Sequence, residues 1–195
     1  MQFSIFKFAV VALAASSETV LGAVLQARVL TPAQIVDNIK MITQKSQALQ
    51  GPAQSVSLIS GPLILIGQGP FPQIIVGFTD IVSTATTAIA QMQGTPPITS
   101  AADGDAIFNA FREFVRVHQV LLNILIGKAG LFNTVPFIGQ PVAAVLRQIE
   151  GVVDTIALSL IDMVQSQSTN LMSQAKSLDG TLENAITAYD GLSLN

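Results

Sequence analysis

The chain has 195 residues, of which nine are Lys or Arg, twelve Asp or Glu and one His, for a formal charge of −3. Half are apolar and 11% charged, with neither Cys nor Trp. These figures argue against a nucleic-acid binder, which needs basic excess to neutralise phosphates. They also exclude a disulfide scaffold and a thiolate metal site, and a single His cannot build a multi-histidine one. The apolar content argues against disorder, and the length suits one domain with a real core.

Residues 1–22 read as a secretory signal peptide, with one Lys at Lys7, the apolar run Phe8 to Ala15, and small residues offering cleavage between positions 14 and 23. That run is too short to span a bilayer, and no later run approaches a spanning helix. Residues 23–195 are expected to form a single helical-bundle domain, secreted and extracellular. The C-terminal residues lack the apolar tail of a GPI signal, and no Asn-x-Ser/Thr sequon is present.

From there the pattern is helical: apolar residues recur three and four apart, which places them on one helix face. The first helix is expected to start at Thr31 as N-cap with Pro32 in its first turn. Its seam is Ile35, Ile39, Ile42, Ser46 and Leu49, and Gly51-Pro52 is expected to end it. Residues 51–72, broken by Gly and Pro around Leu63-Ile64-Leu65-Ile66, fit a short buried helix or an apolar loop equally. A second helix is expected from about Gln73 to Gln93, with seam Ile74, Phe78, Ile81, Ala85, Ile89 and Met92.

The third helix opens on Ser100-Ala101-Ala102-Asp103, which has the form of a capping box. Asp103 and Asp105 suit the positive end of its dipole. Its seam is Ile107, Phe111, Phe114, His118, Leu121, Leu125 and Lys128, widened by Phe108, Val115 and Leu122. The fourth helix begins near Pro141 with seam Val142, Val145, Ile149, Val152 or Val153, Ile156, Leu160 and Met163. A polar break, Gln165 to Thr169, precedes the fifth, whose seam is Leu171, Ala175, Leu178, Leu182, Ala185 or Ile186, and Tyr189. Gly180 interrupts it at a cost of about 1 kcal/mol relative to Ala. With no strand pattern competing, the expected fold is all-α, an up-and-down bundle of about five helices.

Catalytic motifs are missing: no Gly-x-Ser-x-Gly, phosphate loop or His-Glu-x-x-His occurs. A hydrolase would have to recruit His118 from inside a helical seam, so no catalytic residue, metal or cofactor is assigned. His118 on an apolar face reads as a hydrogen-bonded core histidine or as a polar anchor donating to a ligand carboxylate inside a cavity. Lys128 on the same seam reads as a solvated helix end or as a partner for a ligand anion. Arg112, Arg116, Gln119 and Asn123 fall on the opposite, solvated face. Phe71, Phe132 and Phe137 sit in or near Gly/Pro-rich connections, where they could cap the bundle, gate a cavity or meet an apolar surface.

Three stretches carry a family resemblance. They are Pro97-Ile98-Thr99-Ser100-Ala101-Ala102-Asp103 followed by Ile107; Leu121-Leu122-x-x-Leu125 followed by Lys128-Ala129-Gly130-Leu131-Phe132; and Asn184-Ala185-Ile186-Thr187-Ala188-Tyr189. In order and spacing the chain resembles the fungal hydrophobic surface-binding protein family, which includes Mp1-type cell-wall galactomannoproteins. The resemblance spans about Leu30 to Asp190. It implies a secreted, all-helical, non-enzymatic protein that binds a fatty acid or other lipid within the bundle or adsorbs to hydrophobic surfaces. Secreted lytic enzymes and cell-wall polysaccharide are the further partners it implies, and no nucleic acid. The missing Ser/Thr-rich tail departs from the wall-anchored pattern.

Candidate cavity-lining residues come from the seams: Phe78 and Ile81 of the second helix; Ile107, Phe111, Phe114, His118, Leu121, Leu125 and Lys128 of the third; Val145, Ile149 and Ile156 of the fourth; Leu178 and Leu182 of the fifth. Burying about ten methylenes of an acyl chain at ~0.8 kcal/mol each gives ~8 kcal/mol, near micromolar before the costs of binding.

Overall fold

The structure is a computed structural model, described here for residues 29–57, 68–131 and 139–190. Five long helices and one short one make up nearly all of these: α1 Pro32–Ala48, α2 Gln50–Ser55, α3 Pro70–Met92, α4 Ala101–Ala129, α5 Gly139–Met163 and α6 Ser168–Asp190. Strands are absent among the described residues. The all-α bundle expected from the seams is therefore the fold.

Local chemistry sets the helix starts. Thr31 and Gln34 form a complete capping box: the Gln34 amide donates to Thr31 Oγ1 at 3.3 Å and the Thr31 amide to Gln34 Oε1 at 2.9 Å. At α4, Ser100 Oγ accepts from the Asp103 amide at 3.3 Å, and Asp103 lies in the first turn where the dipole favours it.

Three boundaries differ from the sequence expectation. Gly51-Pro52 does not stop the chain but lies inside α2, because Pro in the first turn of a helix forfeits an amide that has no intrahelical acceptor. For the same reason α3 starts at Pro70, three residues earlier than Gln73. Gly69 precedes it with φ 88°, a left-handed conformation open to glycine. Phe71 is thus a buried first-turn residue of α3 and not part of a connection. The polar break shrinks to a 3-10 turn at Gln165–Gln167, with Ser168 and Thr169 already in α6. Residues 58–67, Phe132 and Phe137 lie outside the described residues.

Each long helix packs along two others, giving the closed order α1–α3–α5–α6–α4 and back to α1. α1 and α3 are antiparallel, joined by Asn38 Nδ2 to Gln91 Oε1 at 2.9 Å near one end and by the Lys45–Asp80 ion pair further along. α5 and α6 are antiparallel, with Arg147 paired to Asp190. α4 runs parallel to α6, and Gln119 Nε2 donates to Ser177 Oγ at 3.1 Å and Thr181 Oγ1 at 3.0 Å. Gln119 is therefore part of a helix seam, unlike Arg112 and Arg116, which stay exposed. Close approach shows at Gly77, where a Cβ would lie 2.2 Å from Leu49 Cδ2.

A five-membered ring encloses more interior than a four-helix bundle, and it is filled by one continuous apolar cluster drawn from every helix. At 1.5 Å per residue the 29-residue α4 is roughly 43 Å long. His118 lies past the middle of that length, beside Ser46 in the last turn of α1 and next to Val117, whose carbonyl accepts from Gln50 Nε2 of α2.

Candidate functional site

The interior of the ring is apolar with few exceptions. The buried polar side chains among the described residues are Asn38, Thr43, Ser46 and His118. Thr43 spends its hydroxyl on Ile39 O at 2.8 Å. Asn38 lies at the α1–α3 seam, bonded to Gln91. His118 is different, being fully buried and turned into the ring.

His118 comes from α4 and its Nδ1 lies 2.9 Å from Ser46 Oγ of α1. Phe114, one turn back on α4, tilts against the imidazole with ring centroids 5.4 Å apart. Phe78 of α3 meets it edge-on at 6.2 Å and 76°. α3 and α4 are not neighbours in the ring, so the Phe78–His118 contact crosses its interior. Nε2, the second ring nitrogen, is buried with no hydrogen-bond partner. An unpartnered polar atom of this kind costs roughly 1–3 kcal/mol, and its presence calls for a reason.

Burial also sets the charge. With water excluded and no acid beside it, the imidazole titrates at about 4, well below its ordinary 6.5, because the cationic form loses its hydration. His118 is therefore neutral at physiological pH. Tyr189 closes the neighbouring part of the core, its hydroxyl donating to Leu125 O at 2.9 Å, and burial raises its pKa.

The structure brings most of the sequence-derived lining residues into one core. Phe78, Ile81, Ile107, Phe111, Phe114, Leu121 and Leu125 are buried in it, as are Val145, Ile149, Ile156, Leu178 and Leu182. Lys128 stands apart: half-buried at the α2 end of the bundle, its Nζ donates to Val56 O at 2.8 Å and holds the close of α2. Ser46 was visible as a polar member of the first seam. Its pairing with His118 was not, because the two are 72 residues apart and periodicity identifies a face without naming its partner.

A separate cleft of about 320 Å³ opens at the other end of the bundle, between the last turns of α3 and α5. Ile89, Met92, Pro97, Met163 and Asp162 are among the residues lining it, and His118 does not reach it. Groups of three or more His, Cys, Asp or Glu able to hold a metal do not occur among the described residues.

The arrangement defines an all-helical bundle with, among the described residues, a single unsatisfied buried side-chain polar atom in an apolar ring. No family model matches the chain, and no curated protein matches it in sequence. Among solved structures the fold is similar to that of AfMP4p, whose crystal structure is of its complex with palmitic acid. The TM-score is 0.72 at 18% identity, covering 82% of this chain and 99% of that one. The likeness is one of fold.

Proposed function

We propose that this chain is a carrier of a fatty acid or similar long-chain lipid, with the acyl chain held inside the helical ring and the headgroup at His118. The observation that carries this reading is His118 Nε2, a buried hydrogen-bonding atom without a protein partner, on an imidazole packed against Phe78 and Phe114. Ligand pockets for lipids have this composition: mostly apolar walls with few, well-placed polar groups. The palmitic acid in the complex of the similarly folded AfMP4p supports the same reading. His118 is closed off from solvent in this conformation, so the ligand enters by parting helices. The least extensive of the five seams is α1–α3, where a few polar side chains span the surface.

The protein acts by sequestration, without turnover, and works outside the cell or at the cell wall once residues 1–22 are removed. The test is a titration of solvent-stripped protein with a fluorescent fatty acid. Saturation near one ligand per chain, displacement by palmitate and a clear loss of affinity in His118→Leu support the reading. Non-saturable uptake refutes it.

A second reading, adsorption to apolar surfaces, rests on α3. This helix has one charged side chain in 23 residues, Asp80, and it is paired with Lys45. Its hydroxyls at Thr79, Thr84, Thr86 and Thr87 bond to their own helix four residues back, leaving methyl groups and Val76 outward. Contrary to the sequence expectation that no later run approaches a spanning helix, the length and composition of α3 would allow it to cross a membrane, although it is also a core helix here. Retention of the protein on hydrophobic beads, reduced by Val76→Lys, tests adsorption, and recruitment of secreted lytic enzymes or cell-wall polysaccharide would be sought on the same beads.

A further inference from the structure

The direction of the hydrogen bonds around His118 follows from a count of protons. Ser46 has one hydroxyl hydrogen, and its Oγ lies 3.1 Å from Ile42 O as well as 2.9 Å from His118 Nδ1. A carbonyl oxygen only accepts, so using both contacts requires Ser46 O–H to donate to Ile42 O. His118 Nδ1–H then donates to Ser46 Oγ. The reverse arrangement, with Ser46 donating to Nδ1, makes one bond fewer and strands an N–H at Nε2 in an apolar core. Buried N–H groups without partners are rarer than under-satisfied acceptors. The neutral imidazole therefore carries its hydrogen on Nδ1, and Nε2 presents a bare lone pair to the interior.

This differs from one of the two roles the sequence left open, that of a histidine donating to a ligand carboxylate. We propose that the site selects a long-chain lipid whose headgroup donates a hydrogen bond to Nε2, an alcohol or an un-ionised carboxylic acid, and that a fatty-acid anion binds together with one proton. The inference rests on the lipid-carrier reading and specifies its headgroup.

Charge supports it. A carboxylate without a counter-charge is strongly disfavoured in an apolar interior, and the buried set among the described residues includes no Lys, Arg, Asp or Glu. Every charged side chain on the helices around His118 is exposed or half-buried. These are Asp37, Lys40 and Lys45 on α1; Asp80 on α3; Asp103, Asp105, Arg112, Glu113, Arg116 and Lys128 on α4; Arg147, Glu150, Asp154 and Asp162 on α5; and Lys176, Asp179, Glu183 and Asp190 on α6. Buried Tyr189 is neutral and directed at Leu125 O. Among the described residues no fixed cation therefore meets a bound anion, and a proton from solution must. It ends on the carboxyl oxygen as O–H···Nε2, and the pair is neutral.

The experiment is calorimetric titration of the stripped protein with laurate and with 1-dodecanol at neutral to mildly alkaline pH, each in two buffers of different ionisation enthalpy. Laurate binding is expected to take up close to one proton and to weaken about tenfold per pH unit on raising the pH, as one-proton linkage requires. Dodecanol is expected to bind with no proton uptake and no pH dependence. A two-bond ¹H–¹⁵N spectrum of the stripped protein is expected to show His118 protonated at Nδ1. Laurate binding without proton uptake, or dodecanol failing to bind where laurate does, overturns the inference and leaves the carrier standing. If neither ligand binds saturably, the carrier reading itself falls and the headgroup inference with it.

Discussion

Acid should weaken this fold earlier than an all-helical protein without buried histidine, and the size of the effect can be worked from His118. The folded pKa is about 4 and the unfolded one 6.5. Since the folded value is the lower, the unfolded chain binds the extra proton first. The stability is fully present above pH 6.5 and is lost as pH falls toward 4. Integrating that linkage from pH 7 to 4.5 gives a loss of about 2 kcal/mol from this one group, a large fraction of a typical 5–15 kcal/mol. Glu150 and Asp154 work in the opposite sense. Both are raised, first by desolvation and then by neighbouring acids, Asp154, Asp179 and Glu183 for Glu150 and Asp179 for Asp154, and they favour the fold slightly as they take up protons. Urea denaturation at pH 7 and 4.5 measures the difference for wild type and for His118→Leu, which keeps an apolar side chain of similar reach without the titration. Wild type should lose about 2 kcal/mol more than the variant over that interval. Equal losses, or an imidazole that titrates by NMR near 6.5, would refute the assignment of His118 as a neutral, solvent-excluded group.

Two further substitutions test the packing. Gly180 is an exposed residue inside α6, and a methyl group added there would meet nothing within 4 Å, so Gly180→Ala should stabilise by about 0.5–1 kcal/mol and raise the melting temperature. Gly77→Ala should do the opposite, because its methyl would meet Leu49 Cδ2 at 2.2 Å; displacing a buried leucine at the α1–α3 seam should cost about 1–3 kcal/mol by the same measurement.

The seams were legible because a 3.6-residue period is a one-dimensional signal. Ile35, Ile39 and Ile42, or Ile107, Phe111 and Phe114, declare a buried face wherever the helix ends up. The boundaries at Gly51-Pro52 and Pro70 were less so, since Pro signals a stop in a helix interior and a start in a first turn, and the sequence pattern is the same. The site was legible in half. His118 stands out as the one ionisable residue in the middle of an apolar seam, but its chemistry depends on Ser46 and Phe78, which arrive from other helices. The acceptor role inferred for Nε2 hangs on the second bond of Ser46 to Ile42 O, a local helical contact that no residue pattern encodes.

The central claim is that an acyl chain occupies the ring with its headgroup at His118. The most direct measurement is native mass spectrometry of the full chain, stripped with organic solvent and then mixed with palmitic acid, alongside His118→Leu. A discrete one-ligand species that is depleted in the variant is the predicted result. An unliganded wild-type mass at lipid concentrations well above micromolar would contradict the account and return His118 to the role of a core residue.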